Sequence, residues 1–139
     1  MPDIALRGAT VADHAAMVAL WAACGLHPNA TDSVEGLAAK LARDPELFLV
    51  AVDGAAIVGT VMGSYDGRRG WINRLAVDPT CRGHGIADRL MVEVERRLVA
   101  IGCAKVNLLI EPDNAAVQAY YGRLGYTTKP LIFMEKMLK

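Results

Sequence analysis

Several features that would point to a specialised class of protein are absent from this 139-residue chain. Its formal net charge is zero at pH 7, which argues against bulk binding of nucleic acid. The longest apolar stretch, residues 15–26, is too short to span a bilayer and repeats with helical period. Cys24, Cys81 and Cys103 are odd in number and widely separated, so neither a disulfide framework nor a zinc site is predicted.

The rest of the composition indicates an ordinary compact protein. Hydrophobic residues make up 53% of the chain and no tract is of low complexity, so a packed core is expected. The sequence opens with Met-Pro-Asp and does not show the basic and apolar regions of a secretion signal. Together with the scattered cysteines, this predicts a cytoplasmic location. The length suits one domain covering residues 1–139.

The order of predicted elements indicates a mixed α/β domain around one sheet. Strands are predicted around residues 4–6 and at residues 47–52, 55–65, 71–77, 106–110 and 131–138. Helices are predicted at residues 10–24, 31–43, 86–102 and 114–124. Thr10 with Asp13, and then Thr31, give the N-terminal signals of the first two helices. Asp53-Gly54 predicts a hairpin between the second and third strands.

The most informative stretch joins the fourth predicted strand to the third predicted helix. An Asp-Pro pair stops the strand, and a basic turn with two glycines then leads directly into the helix. The first turn of a helix carries unpaired N–H groups and the positive end of the helix dipole. Gly83 and Gly85 allow a ligand to approach the backbone, and Arg82 adds a cation. The pattern predicts a phosphate or pyrophosphate site.

Two other phosphate-binding motifs fit this turn less well. A Rossmann fingerprint requires a third glycine where Asp88 stands, and an acidic residue about twenty positions further on, where Lys105 lies. A Walker-type loop requires Gly-Lys-Ser/Thr, which the sequence lacks. A purely structural turn without a ligand remains an alternative for any single Gly-x-Gly.

Two short motifs occur in order in the second half of the chain. The first is Arg82-Gly83-His84-Gly85-Ile86-Ala87, and the second is Asn114 followed by Tyr121 and Leu124-Gly125-Tyr126. Together with the order of elements they resemble the GNAT superfamily of acyl-CoA-dependent N-acetyltransferases, over nearly the whole chain. Residues 48–50, 58–63 and 65–67 are similar to the YpeA-like bacterial subgroup of that family.

The resemblance implies a fold and a cofactor. The fold is one GNAT-like domain, with a central, mostly antiparallel sheet, a splayed parallel strand pair and about four flanking helices. The cofactor is acetyl-CoA, used as a co-substrate, with no metal. Its pantetheine arm would bond to the strand backbone, and its diphosphate would lie on the amides of residues 83–87. The implied cofactor site comprises Leu75, Ala76, Val77, Arg82, Gly83, His84, Gly85, Ile86, Ala87, Asn114 and Tyr121.

The implied reaction is direct attack of a primary amine on the thioester in a ternary complex. The leaving thiolate needs a proton, which a phenol can supply. On the predicted helix Tyr121 shares a polar stripe with Asn114 and Gln118, whereas Tyr120 lies on an apolar stripe. We therefore predict that Tyr121 is the general acid and that Tyr120 belongs to the core; packing is the alternative role for Tyr121. Asn114 is expected to cap the helix and to contact pantetheine.

The general base is less well defined than the acid. Related enzymes often place a glutamate where this chain has Leu109. Glu111, two residues further on the same face, is predicted to act through a water molecule, with a solvated carboxylate as the alternative. Ordered water alone, or an acceptor amine of low pKa, would also serve. A backbone N–H near Leu75 is the family's expected donor to the oxyanion.

The expected partner is a small-molecule or peptide amine, with no nucleic acid and no membrane. A second copy of the chain is an open candidate partner. The alternative from another class is a non-catalytic acyl-CoA-binding sensor, which would bind the coenzyme through residues 82–87 without turnover.

Overall fold

A five-stranded sheet organises residues 4–108 in the computed structural model, which describes residues 3–27, 29–112 and 114–139. The strands are β1 (Ile4–Gly8), β2 (Phe48–Asp53), β3 (Ala56–Tyr65), β4 (Gly70–Val77) and β5 (Val106–Leu108). They lie side by side in chain order. The first three pairings are antiparallel and the pairing of β4 with β5 is parallel. The predicted mixed sheet with one parallel pair is confirmed.

The described residues form four α-helices, and the first two begin later than predicted. They are α1 (His14–Ala23), α2 (Val34–Arg43), α3 (Ile86–Ala100) and α4 (Ala115–Arg123). The Asp13 carboxylate does accept the Thr10 backbone N–H at 2.8 Å, but this bond closes a 3-10 turn that precedes α1. The residue that caps α2 is Ser33, whose hydroxyl accepts the Gly36 N–H at 3.0 Å. Thr31 lies in a separate 3-10 turn.

Both faces of the sheet are covered, so β2 is buried along almost its whole length. Its residues Phe48, Val50 and Val52 belong to a core shared with α1 and with Leu37 of α2. On β3, a side chain at Gly59 would place its Cβ only 3.0 Å from Leu90 of α3. The absence of a side chain there lets α3 pack closely against the sheet. This packing fixes the strand that leads into the glycine turn relative to the helix that follows it.

The chain forms two compact units, Met1–Leu108 and Leu109–Lys139. The second unit contains α4, and residues 126–139 have no regular secondary structure. The predicted strand at residues 131–138 is therefore wrong. A strand is defined by a partner that takes its backbone hydrogen bonds, and here the six large apolar side chains between Leu131 and Leu138 are 63–90% exposed. A single domain over residues 1–139 stays a prediction.

The parallel strand β5 is also shorter than predicted, because it ends at Leu108 and not at Ile110. Within the described ranges, no helix has both the length and the apolar character needed to cross a bilayer.

Candidate active site

Strand β4 pairs with β5 over only part of its length. The paired residues are Gly70 to Ile72, opposite Val106 to Leu108, whereas β4 continues to Val77. Among the residues described up to Leu108, no strand covers the side of residues 73–77 that faces away from β3. An uncovered strand edge presents N–H and C=O groups that an extended ligand can use. The splayed parallel pair that the family resemblance implies is therefore β4 and β5, whose pairing ends at Ile72 and Leu108.

A β-bulge interrupts the other side of β4 where its pairing with β5 has ended. Asn73 pairs with Met62 and Ala76 pairs with Thr60, so two residues of β4, Arg74 and Leu75, stand opposite one residue of β3. Arg74 has φ +56°, the one positive φ of a non-glycine residue in the part of the chain that the structure describes. A left-handed conformation costs an L-residue about 1–2 kcal/mol. The surrounding contacts must therefore hold the bulge.

A buried hydroxyl anchors the backbone of the bulge. The Thr60 side chain donates to the Arg74 carbonyl at 2.7 Å and accepts the indole N–H of Trp21 at 3.0 Å. Thr60 is completely buried and Trp21 is 5% exposed. Trp21 thus packs in the core while its N–H takes part in fixing the bulge, a role that depends on residues far away in the sequence.

The glycine turn between β4 and α3 has the geometry of an anion site. Gly83 and Gly85 have φ values of +86° and +74°, and a Cβ added at either would meet no atom within 4 Å. Gly85 is the N-cap of α3 and no side chain caps this helix. The first N–H groups of the 15-residue helix therefore point to a space that a ligand can enter. These residues fit a diphosphate.

Arg82 places its cation beside this turn, at the end of β4. Its Nε donates to the Val77 carbonyl at 3.3 Å, and the Cys24 thiol donates to the same carbonyl at 3.3 Å. One Arg82 Nη lies 3.8 Å from the Cys24 sulfur. The side chains of Arg82 and His84 are exposed, whereas Ile86 is 2% exposed and anchors the first turn of α3 in the core. Sequence reasoning missed Cys24, because nothing local connects it to a residue 58 positions away.

The second unit holds the remaining predicted site residues, Glu111, Asn114 and Tyr121. Asn114 caps α4 as predicted, since its side-chain oxygen accepts the Val117 N–H at 3.3 Å. Tyr121 is 8% exposed, and its ring contacts Tyr126 edge-on with a centroid distance of 5.6 Å. Burial raises the pKa of the Tyr121 phenol to about 12. The phenol therefore keeps its proton at any ordinary pH.

The prediction that Tyr120 belongs to the core is wrong. Tyr120 is half-buried, and the Arg123 guanidinium lies 5.9 Å from its ring centroid. On the apolar stripe that includes Tyr120, Ala116 is exposed, Val117 is half-buried and Leu124 is 38% exposed, so the stripe is not a buried face. Of the two adjacent rings, Tyr121 is the more buried.

Glu111 is exposed, and its backbone carbonyl accepts the Asn114 N–H at 3.0 Å. Leu109, where the family resemblance led us to expect a glutamate, is 54% exposed. The role of Glu111 as a base stays a prediction. Over residues 3–27, 29–112 and 114–139, no group of three or more His, Cys, Asp or Glu residues is arranged to hold a metal ion.

Comparison with known proteins identifies the family. The profile of the Acetyltransferase (GNAT) family matches residues 10–126. Acetyltransferases of Yersinia enterocolitica and Pectobacterium atrosepticum are each 43% identical to the chain over 126 residues, which cover 91% of this chain and 89% of theirs. The chain belongs to the GNAT family, and it is an acetyltransferase.

Solved structures agree with this fold. The PaiA N-acetyltransferase of Thermoplasma acidophilum, in complex with coenzyme A, superposes with a TM-score of 0.81 at 18% identity, covering 94% of this chain and 93% of that one. Ard1 of Thermoplasma volcanium gives 0.81 at 20% identity, covering 91% and 84%. The NatC complex bound to Gag peptide and CoA gives 0.74 at 25% identity, covering 87% and 82%.

Proposed function

We propose that this acetyltransferase transfers the acetyl group of acetyl-CoA to a primary amine of a small molecule or peptide, by direct attack in a ternary complex. The observation that carries the proposal is the sequence of features along β4: an uncovered edge, a bulge at Arg74 and Leu75, and then the open left-handed glycine turn. The three free thiols, Cys24, Cys81 and Cys103, suit a reducing compartment, and we propose a cytoplasmic location.

The proposed coenzyme site uses the backbone more than side chains. The N–H groups of residues 83–87 bind the diphosphate, and Arg82 adds the fixed cation. Each such charge-assisted hydrogen bond contributes about 1.5–3 kcal/mol where water is excluded. The backbone of Leu75, Ala76 and Val77, along the uncovered edge of β4, takes the pantetheine arm, and Asn114 is a further contact.

Acetyl-CoA supplies the activated thioester, and the chain must supply proton transfers around it. A lysine-like amine has to lose its proton before it attacks, which costs about 4–5 kcal/mol at pH 7. We propose that Glu111 accepts this proton through a water molecule. We propose that Tyr121 donates a proton to the leaving sulfur, because its buried phenol is protonated at the pH of the reaction. A peptide α-amine, with a pKa of about 7.7–8.0, lowers the demand on the base. The peptide bound to the NatC complex supports this class of acceptor.

Calorimetric titration with CoA, combined with a free-thiol release assay, tests the proposal. We expect CoA to bind and to raise the melting temperature, and thiol release from acetyl-CoA to depend on an added amine. The acceptor panel consists of amines, peptide N-termini and aminoglycosides. Absence of both heat and thermal protection at millimolar CoA would overturn the coenzyme site. Tight binding with no thiol release across the panel would favour a sensor.

The two adjacent tyrosines of α4 allow a matched test of the general acid. Tyr121→Phe removes only the hydroxyl, so we expect kcat to fall by about a hundredfold or more while the Kd for CoA changes little. Tyr120→Phe is the control, and it should retain kcat within about twofold. Steady-state kinetics and calorimetry give both quantities. Equal activity of the two variants would remove Tyr121 from the proton-donor role.

The raised pKa of Tyr121 also predicts the alkaline behaviour of the enzyme. An unperturbed phenol would be about half ionised near pH 10. With a pKa of about 12, the Tyr121 phenol stays protonated there. The profile of kcat against pH should therefore rise as the amine loses its proton and show no fall up to about pH 10. A falling limb below pH 10 that disappears in Tyr121→Phe would contradict the raised pKa of Tyr121, although it would support this phenol as the proton donor.

A further inference from the structure

The guanidinium of Arg74 is held by three groups outside its own strand. It donates to the carboxylate of Asp32 and, at 3.0 Å, to the carbonyl of His27. It also lies 5.0 Å from the ring centroid of Trp21. The side chains of Arg74 and Asp32 are only 11% and 9% exposed. An ion pair this deeply buried is strongly oriented, because few water molecules can replace its hydrogen bonds.

Asp32 is itself fixed on the connection between α1 and α2. Its carboxylate accepts the Asn29 backbone N–H at 2.9 Å, and its backbone carbonyl lies 2.7 Å from Nε2 of His14. Arg74 is therefore tied by its side chain to a braced segment, while its carbonyl is tied to Thr60. Two independent anchors act on one residue whose backbone is left-handed.

The residue after this anchor is Leu75, which has no register partner on β3. Glycine would adopt the left-handed conformation without strain, but it would also leave the bulge free to change shape. Arginine is unfavourable there by itself, so the native geometry depends on the contacts of its side chain. The side-chain contacts of Arg74 and the hydrogen bond from Thr60 to its carbonyl together set the direction of the peptide group between Arg74 and Leu75.

We propose that Arg74 is a positioning residue for acetyl transfer. Its guanidinium, held by Asp32 and Trp21, keeps the bulge in the one geometry that directs the Leu75 N–H to the thioester oxygen. This role rests on the proposed function. In it, a side chain that does not touch the reacting groups sets the orientation of the oxyanion donor.

The test removes the guanidinium that anchors the bulge and puts glycine in its place, which can still adopt the left-handed conformation. Arg74→Gly should lower kcat by about tenfold or more, with the Kd for CoA unchanged within about twofold, because the donor is misdirected while the coenzyme site is intact. Arg74→Lys keeps a cation for Asp32 and should recover part of kcat. Asp32→Asn should lower kcat in the same direction, and adding it to Arg74→Gly should have little further effect.

A second buried ion pair supplies the control for general destabilisation. Lys40 and Asp44 are 14% and 12% exposed, and Lys40 also donates to Ser64 of β3 at 2.9 Å, away from the bulge. Lys40→Met should destabilise the protein and leave kcat within about twofold when assayed well below its melting temperature. Retention of full kcat by Arg74→Gly would overturn the proposal. An equal loss of CoA affinity and kcat would also overturn it, because that pattern indicates collapse of the site.

The backbone amide signal of Leu75 gives a readout that needs no turnover. In the wild-type protein its 15N and 1H shifts should differ between the CoA and acetyl-CoA complexes, and in Arg74→Gly this difference should shrink. An unchanged Leu75 amide in the wild type would overturn the positioning role, whatever the activity. If the Leu75 amide shifts differ between the two complexes but no amine-dependent thiol release is seen, the positioning role of Arg74 is supported and the proposed transfer reaction is not.

Discussion

Two left-handed backbone sites follow each other along the chain, one at Arg74 and one at Gly83 and Gly85. The glycine site is exposed and uncapped, with open space where side chains would be. The Arg74 site is closed, and its carbonyl and guanidinium are both satisfied by partners in the protein. The same backbone conformation is thus permitted by the absence of a side chain in one place and enforced by a side chain in the other.

The difference indicates what each site is for. An open turn whose N–H groups point outward can receive an anion without rearrangement. A bulge held by buried contacts cannot change shape easily, which suits a group that must point in a fixed direction. In the proposed function, the glycine turn binds the coenzyme and the bulge orients the oxyanion donor, so two different backbone arrangements along β4 serve two different roles.

The largest effect is expected from closing the open turn. Gly85→Val places a β-branched side chain at φ +74°, against the face that we propose binds the diphosphate. Loss of two amide hydrogen bonds, at about 1.5 kcal/mol each, predicts a Kd for CoA about a hundredfold or more higher. Isothermal titration calorimetry measures it.

Gly54→Val is the matched control, because Gly54 also has a positive φ, +62°, and open space around it. Both variants should lose about 1–2 kcal/mol of stability through backbone strain. Only Gly85→Val should lose affinity for CoA. If Gly54→Val weakens CoA equally, the glycine turn is a structural feature and not an anion site.

A smaller effect is expected from opening the closed bulge. Thr60→Val leaves the buried Trp21 N–H without its acceptor and the Arg74 carbonyl without its donor. We expect the free energy of unfolding to fall by about 1–3 kcal/mol, measured by urea denaturation. Thr60→Ser keeps the hydroxyl and should lose less. If valine proves as stable as the wild type, the bulge does not depend on this hydroxyl.

The smallest effect is expected from removing the charge beside the open turn. Arg82 is exposed and keeps only long contacts with Val77 and Cys24, so its cation is partly screened. Arg82→Gln should raise the Kd for CoA by about tenfold and weaken its dependence on salt. Titrations at low and high ionic strength measure both changes. An unchanged salt dependence would show that the amides alone bind the coenzyme.

Local signals predicted the open turn well. The Asp-Pro stop, the two glycines and the helical stripe beginning at Ile86 are neighbours in sequence, and each acts through backbone conformation or a single helix. The hairpin at Asp53-Gly54 and the cap at Asn114 were predicted for the same reason. The starts of the two early helices were placed less well, because Thr10 and Asp13 close a 3-10 turn before α1, and Ser33 rather than Thr31 caps α2.

Signals that depend on distant partners were missed. Arg74 is an ordinary charged residue by sequence, and its conformation results from Asp32, Thr60 and Trp21, each at least 14 positions away. The strand predicted at residues 131–138 failed for a related reason, since apolar composition does not provide a hydrogen-bonding partner. Tyr120 was misassigned because helical spacing identifies residues that share a stripe but not how deeply each of them is buried.

By itself, the sequence determined the open left-handed turn before α3, where we propose that a diphosphate binds, because backbone freedom and the start of a helix are local properties that glycine and the preceding strand specify directly. Only the tertiary structure decided that an arginine would adopt a left-handed conformation at the bulge in β4. That outcome depends on buried partners from α1, β3 and the connection before α2, whose combined contacts outweigh a local preference of about 1–2 kcal/mol.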